Sequence, residues 1–499
     1  MLKGMMIFFI LSNSFFITSC IANSDDVHKE KGITIYYKND FDKSKKGFHG
    51  SRKVSQKLVD DSISGKALLN ICEKKWAGPS LNLDIKGSKG LRIAFMAKAQ
   101  NFKLATLNMF DKEANDNTTP YGYRFLPDDR WVPVLYYVDL FRYNSKNSGH
   151  IRSDTHFTNI KFWGPEPKDQ QVKIILDNFV VYRGDDRTAP SKIEGLYAYV
   201  NKDRVMLKWK VPHDNVYPMF YVISRSDNGE EFKKIAETYH LYYFDRTVEK
   251  GIYKYRVLAC DFQNNIGEWS NEVEIKGKFQ SIKSKPNILT KDRVNYARHI
   301  MEVHERGKGR VDKGLVVMYG DSLTGPTLYP RFVAGALGIY RVRAYGYASM
   351  RSGWGKRNLD KKVLNKVKPE FMLLMFGTND VRGKLRKKKV YMEWVDNVIA
   401  TAKKAESEGV VVIIGTIPPR GFNDPLSFPE ASFNKLLIEE ARKNKIPVAY
   451  VFKEIQNCGD RHKFIWKDSV HWTSKGMEVA AITWAKTFKQ VEFVLRDRP

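Results

Sequence analysis

The chain has 499 residues, of which 42% are apolar, so it can build globular cores but exceeds what one core organises; its size points to about three domains. Its formal charge of +28 is carried by lysines and arginines spread singly along the chain, which reads as a solvated basic surface open to an acidic partner. The four cysteines are scattered, with no CxxC or HxxxH spacing, which excludes a disulfide framework and gives no grounds for a zinc site.

Residues Met1 to Ser19 hold an early Lys3 and an apolar run from Met5 to Leu11 that resumes at Phe15, Phe16 and Ile17. This is the pattern of an export signal, too short to read as a spanning helix. Its end, Ile17-Thr18-Ser19-Cys20, resembles the bacterial lipobox. The resemblance implies a lipoprotein signal over 1–20, lipidation of Cys20 and attachment to the membrane through an N-terminal lipid anchor, each buried methylene contributing ~0.8 kcal/mol. Ile21 is not an aspartate of the inner-membrane retention type, so the expected location is the cell envelope, at the outer membrane or cell surface. If Cys20 instead follows a conventional cleavage site, the protein is secreted. Either form of export argues against nucleic acid as a partner.

Residues Asn23 to Gly32 are polar and charged and are expected to form a tether. Between 33 and 184 the chain is all-β in pattern. Ile33–Tyr37, Leu91–Ala97, Leu104–Phe110, Trp131–Val138, Thr158–Trp163 and Val172–Tyr182 are runs rich in β-branched and aromatic residues, separated by turn residues. The opening Tyr36-Tyr37-Lys38-Asn39-Asp40-Phe41-Asp42 and the closing Ile175 to Tyr182 resemble the first and last strands of galactose-binding-like jelly rolls. That resemblance implies a carbohydrate-binding module, with Trp76, Tyr121, Tyr123, Trp131 and Trp163 as aromatics for stacking on sugar rings, against the alternative of core packing. It also raises Asp40, Asp42 and Asp177 as calcium ligands; carboxylates in turns are the simpler reading, and no metal is assigned.

The segment 187–277 opens at Arg187-Thr188-Ala189-Pro190. Val205, Leu207 and Trp209 alternate on one strand, Tyr221, Ile223 and Arg225 on the next, and Tyr253, Tyr255, Val257 and Ala259 later. It resembles a fibronectin type III domain, a class whose sandwich core packs an early tryptophan against a late tyrosine. No convergent polar cluster is expected in it, and its implied role is a spacer or partner-binding module. Gly277 to Pro286 reads as a linker and Lys291 to Glu305 as a helix.

From 293 to 497 apolar strands alternate with amphipathic helices. The strand candidates are Leu315–Tyr319, Arg341–Ala344, Phe371–Phe376, Val410–Ile414 and Val448–Val451; Val390–Glu408 and Ser432–Asn444 carry helical spacing. Such alternation predicts a parallel sheet covered on both faces, with the post-strand loops at one edge. Four motifs follow these strands: Gly320-Asp321-Ser322-Leu323-Thr324, Ala344-Tyr345-Gly346, Gly377-Thr378-Asn379-Asp380, and Asp468-Ser469-Val470-His471. A turn glycine before an exposed serine suits a nucleophile at a helix mouth, and a carboxylate three residues before a histidine suits a dyad on one turn.

Together these motifs resemble the GDSL/SGNH hydrolase family, whose fold is an α/β three-layer, flavodoxin-like one. The resemblance implies a serine esterase with Ser322 as nucleophile, His471 as base, Asp468 as its orienting carboxylate, and no cofactor. The implied oxyanion hole is built from Ser322, Gly346 and Asn379. Ser349 stands where the family often has a further glycine, which leaves Gly353 as an alternative to Gly346. Asp380 reads as a local structural carboxylate. Arg351, Arg382 and Arg420 follow the catalytic loops and are substrate-binding candidates for a uronate or sulfate. With the export signal and two sandwiches, the expected reaction is O-deacetylation of an acylated extracellular polysaccharide. The alternatives are a lipid or aryl esterase of lysophospholipase type and a non-catalytic glycan-binding lipoprotein.

Overall fold

A computed structural model describes residues 27–496, except residue 31 and the stretches 51–52, 74–76, 101–103, 121–123, 126–130, 145–150, 164–171, 202–203, 278–290, 326–327, 382–387, 421–428, 459–462 and 467. Cys20, Arg382, Trp76, Tyr121, Tyr123 and most of the expected Gly277–Pro286 linker therefore lie outside the described residues. No described helix is long and apolar enough to cross a membrane.

The first unit is a sandwich of two 7-stranded antiparallel sheets. One is organised around Val172–Arg183, which pairs with Ile33–Asn39, Ala67–Cys72 and Leu91–Gln100; the other around His156–Trp163, flanked by Pro79–Lys86 and Leu104–Asp111. Period-two alternation turns Phe95, Leu176 and Phe179 of one sheet towards Leu81, Ile160 and Phe162 of the other. Phe95 stacks on Phe179 at 5.2 Å and meets Phe162 edge-on at 5.4 Å.

One expectation is corrected here, and two alternatives left open by the sequence are decided. The segment read as a tether contributes an edge strand, His28–Glu30, which pairs with Ile33–Ile35. The apolar partner strand decides this pairing, and the charged residues suit a sheet edge. Trp131 is not a sugar platform but packs in the core at 6% exposure. Asp177 is buried and accepts the N–H groups of Ile63 and Asn178, while Asp42 accepts that of Lys66, so these carboxylates fix turns.

The second unit packs a 3-stranded sheet (Tyr197–Asn201, Arg204–Lys208, Tyr242–Asp245) on a 4-stranded one (Lys233–Thr238, Pro218–Asp227, Gly251–Asp261, Val273–Gly277). Trp209 meets Tyr221, from the next strand, edge-on at 5.4 Å, in a buried cluster that also holds Tyr255 of the late strand. Tyr255, on the late strand, donates to the buried Asp245 carboxylate at 2.9 Å. The unit is more than a spacer, since it touches both neighbours. Gln263 donates to Tyr182 at 3.0 Å, Asn264 to Tyr340 at 3.2 Å, and the Arg496 guanidinium lies 3.8 Å over the Phe220 ring.

The third unit is a 5-stranded parallel sheet in the spatial order Arg341–Gly346, Asp312–Gly320, Pro369–Met375, Val411–Gly415, Val448–Ala449. Lys291–Gly307, Leu328–Leu337 and Ser474–Leu495 cover one face. Ser352–Leu359, Lys388–Ser407 and Pro429–Lys443 cover the other. Both central strands are buried throughout their apolar runs, as a sheet covered on both faces requires. The chain order reverses around Asp312–Gly320, which makes the carboxyl ends of this strand and Pro369–Met375 a topological switch point, where α/β sheets of this kind form their crevice.

Candidate functional site

Ser322 follows the first strand of the parallel sheet on a 3-10 turn, Ser322–Thr324, and not at the mouth of a helix as expected. Leu328–Leu337 begins only after Gly325-Pro326; the residue before a proline is driven extended, and Gly325 closes the turn with ψ 171°. The helix dipole is therefore displaced from Ser322, and local N–H groups remain as the polar environment. Asp321 caps this turn, accepting the Leu323 N–H at 3.1 Å. It also accepts the main-chain N–H groups of Thr378 and Gly377, which ties the serine turn to the loop after the third strand. Burial pushes the Asp321 carboxyl up to about 7 against these donors.

Gly346 ends the edge strand, in register with Gly320. A Cβ at Gly346 would run into Thr324 and Gly325 main-chain atoms, so its glycine makes room for the serine turn. Tyr347, the next residue, donates its N–H to Gly320 O at 3.0 Å. Ser349 then adopts φ 61°, the left-handed conformation that glycine favours, so a serine holds a turn here that glycine would adopt without strain. Gly353 lies inside the helix Ser352–Leu359 rather than in the turn.

Asn379 donates from Nδ2 to Met350 O at 3.0 Å, which leaves its second amide hydrogen for another acceptor. Asp380 accepts Ser352 Oγ at 2.6 Å and Ser352 N at 2.9 Å, holding the start of that helix. Burial raises the Asp380 carboxyl, opposed by those two bonds and by Arg351.

The remaining residues come from a hairpin before the last helix, closed by Thr473 N–H to Phe464 O at 3.0 Å and Trp466 N–H to His471 O at 2.7 Å. Asp468 Oδ1 accepts the N–H groups of Val470 and His471, each at 2.9 Å, with Ser469 at φ 63° to make the bend. Its Oδ2 lies 2.6 Å from His471 Nδ1, and His471 Nε2 lies 3.0 Å from Ser322 Oγ. Partial desolvation pushes the Asp468 carboxyl up, but the Val470 N–H and the His471 ring and N–H outweigh it and hold the carboxyl below its ordinary value. An ionised carboxylate, an imidazole and a hydroxyl thus form one hydrogen-bonded line, which can pass a proton between serine and histidine.

Of the substrate-binding candidates, Arg351 is exposed at the start of the helix Ser352–Leu359. Arg420 is 5% exposed and donates to Thr378 O at 3.3 Å, so it braces the Asn379 loop from within instead of reaching solvent. The expectation of Arg420 as a ligand to a free anion is corrected: a long cationic side chain beside a strand end satisfied a buried carbonyl. Two residues went unassigned in the sequence. Asp321 gave no sign of its burial beyond its place beside Ser322. Trp466, 58% exposed and two residues before Asp468, had no motif around it.

The fold and its polar cluster define the last unit as a three-layer α/β domain with serine, asparagine and histidine gathered at the switch point. Residues 316–479 match the model of the GDSL-like Lipase/Acylhydrolase family, and this C-terminal unit is a GDSL/SGNH hydrolase domain, of the esterase and acylhydrolase class. Similar solved structures include a lipase/acylhydrolase from Enterococcus faecalis (22% identity, covering 35% of this chain and 95% of that one, TM-score 0.31). A GDSL-like lipase from Bacteroides thetaiotaomicron is 21% identical, covering 40% of this chain and 100% of that one, with TM-score 0.31. A catalytic mutant of an acetylxylan esterase from Geobacillus stearothermophilus is 17% identical, covering 36% of this chain and 93% of that one, with TM-score 0.30. No curated protein matches the chain.

Proposed function

We propose that the protein is a serine O-acetyl esterase that deacetylates an extracellular polysaccharide through Ser322, His471 and Asp468. The observation that carries the chemistry is the line of 3.0 Å and 2.6 Å contacts from Ser322 Oγ through His471 to Asp468. In this reading Ser322 Oγ attacks the ester carbonyl while His471 Nε2 takes its proton, and Asp468 stabilises the imidazolium. The oxyanion receives hydrogen bonds from Ser322 N–H, the Asn379 amide and a main-chain N–H of the Gly346 turn, each donor worth ~3 kcal/mol. His471 then protonates the departing sugar hydroxyl, and water, deprotonated by the same ring, releases acetate and restores Ser322.

The substrate class is supported by Trp466, an exposed indole on the hairpin that carries Asp468 and His471, suited to stacking on a sugar ring. The same reading takes the first two units as a galactose-binding-like jelly roll and a fibronectin type III domain, and Cys20 as the lipid anchor of an envelope protein. Acetate release from acetylated xylan, pectin and peptidoglycan is the test. Release from at least one glycan is expected; release from none, beside rapid cleavage of lysophospholipid, makes the protein a lipid esterase.

A further inference from the structure

Asp186, Asp214 and Asp261 bring carboxylate oxygens within 4.8 Å of one another where the first unit meets the second, contrary to the expectation of no polar cluster there. Asp186 lies on the segment joining the sandwiches, Asp214 on the loop before Pro218–Asp227, and Asp261 at the end of Gly251–Asp261. All three are buried, at 3%, 6% and 0% exposure. Like charges this close and this dry repel unless something offsets them.

The hydrogen bonding divides the oxygens into anchored and bare ones. Asp186 Oδ1 accepts Thr188 N–H at 3.0 Å and Asn215 Nδ2 at 2.9 Å; Asp214 Oδ2 accepts Tyr217 N–H at 2.7 Å. Asp261 Oδ1 accepts the N–H groups of Gln263 and Asn265, and its Oδ2 accepts Asn265 Nδ2 at 2.7 Å. Asp186 Oδ2 and Asp214 Oδ1 are buried and have no well-formed N–H donor, while the Asp186 and Asp261 carboxyl groups lie within hydrogen-bonding reach of each other. A buried acceptor without a donor is costly, by ~1–3 kcal/mol each, whereas an anchored carboxylate with one bare oxygen is how ligands are held for a cation.

Lys38 does not resolve the imbalance. Its ammonium donates to the main-chain carbonyls of Asp214 and Asn215, at 3.0 Å each, and lies 4.5 Å over the Tyr217 ring. Glu30 and Asp40 add further negative charge around it. The carboxylates outnumber the one ammonium, an excess that a bound divalent ion reduces.

We propose that Asp186, Asp214 and Asp261 bind one calcium ion, which clamps the segment between the two sandwiches to the loops at the end of the second. The ligands are all hard oxygens, from two irregular segments and the end of a strand, which suits the variable coordination of calcium. Magnesium keeps several waters and demands near-ideal octahedral geometry, which this buried group does not suit.

The test uses the full chain, purified, stripped with chelator and re-exposed to calcium or magnesium. Elemental analysis after gel filtration is expected to find one equivalent of calcium. The thermal midpoint is expected to rise with the logarithm of free calcium and not of magnesium. Asp214→Asn abolishes both effects while keeping the far-ultraviolet dichroism of the parent. Aryl acetate hydrolysis at low temperature stays unchanged by chelator, because the group lies outside the hydrolase domain. The proposal is overturned if the parent retains no calcium and its midpoint ignores the ion. A proton shared among the carboxylates is then the account, with Asp214→Asn as stable as the parent or more so.

Discussion

Asp468 holds His471 at two points, the main-chain N–H through Oδ1 at 2.9 Å and the ring Nδ1 through Oδ2 at 2.6 Å. One carboxylate therefore sets both the path of the backbone and the tautomer of the ring, leaving Nε2 to face Ser322. Asp468→Asn retains the size of the side chain but presents an amide N–H₂ to one of these donors. The expected outcome is a fall in kcat of about 10⁴-fold with KM little changed, read by steady-state hydrolysis of an aryl acetate. A variant within a few-fold of the parent would remove Asp468 from the mechanism.

Asp321 links the serine turn to the Asn379 loop through the N–H groups of Leu323, Thr378 and Gly377. Asn in its place offers one acceptor oxygen and turns two hydrogens towards N–H donors. Asp321→Asn is expected to lower kcat by about 10²-fold, because both oxyanion donors and nucleophile shift together. Asp321→Glu should recover none of this, since the longer side chain does not fit a buried turn. Pre-steady-state acylation rates distinguish this from a slower product release.

The buried carboxyl of Asp177 makes the first sandwich sensitive to pH. Unfolded, it ionises near ~3.9; folded, burial pushes it up to about 8. The folded chain therefore binds the extra proton across this window. The contribution of this group to stability is full below ~pH 4 and is lost as pH rises towards about 8. Thermal midpoints should fall across that range, and Asp177→Asn should flatten the slope. An unchanged slope would mean that Asp177 is ionised in the folded chain.

Arg420 and Arg351 are separated by burial, and their variants should separate too. Arg420→Ala removes a donor from Thr378 O beneath the Asn379 loop and is expected to lower kcat and the thermal midpoint on every substrate. Arg351→Ala, on an exposed side chain, should leave aryl acetate hydrolysis unchanged and raise KM by a few-fold on anionic glycans only, an effect that added salt erases. Trp466→Ala is expected to raise KM on acetylated glycans while sparing the aryl ester.

The strands of the parallel sheet and the places of Ser322, Asn379, Asp468 and His471 were legible because each motif follows a buried apolar strand or precedes a helix with a capped start. Val54–Val59 and Asp116–Thr119 were not, since Ser55, Gln56 and Lys57, or Asp116 and Asn117, hide a strand among polar residues. The burial of Arg420 was invisible because the carbonyl it satisfies, that of Thr378, lies 42 residues away. The Asp186, Asp214 and Asp261 group was invisible for the same reason: the three aspartates are far apart in the chain, and only the packing of the sandwiches brings them together.

Covalent labelling of the nucleophile tests the central claim most directly. A fluorophosphonate should inactivate aryl acetate hydrolysis with one adduct per chain, located by peptide mass spectrometry at Ser322, and Ser322→Ala should neither label nor hydrolyse. An adduct on another residue, or hydrolysis that survives unchanged in Ser322→Ala, would contradict the account.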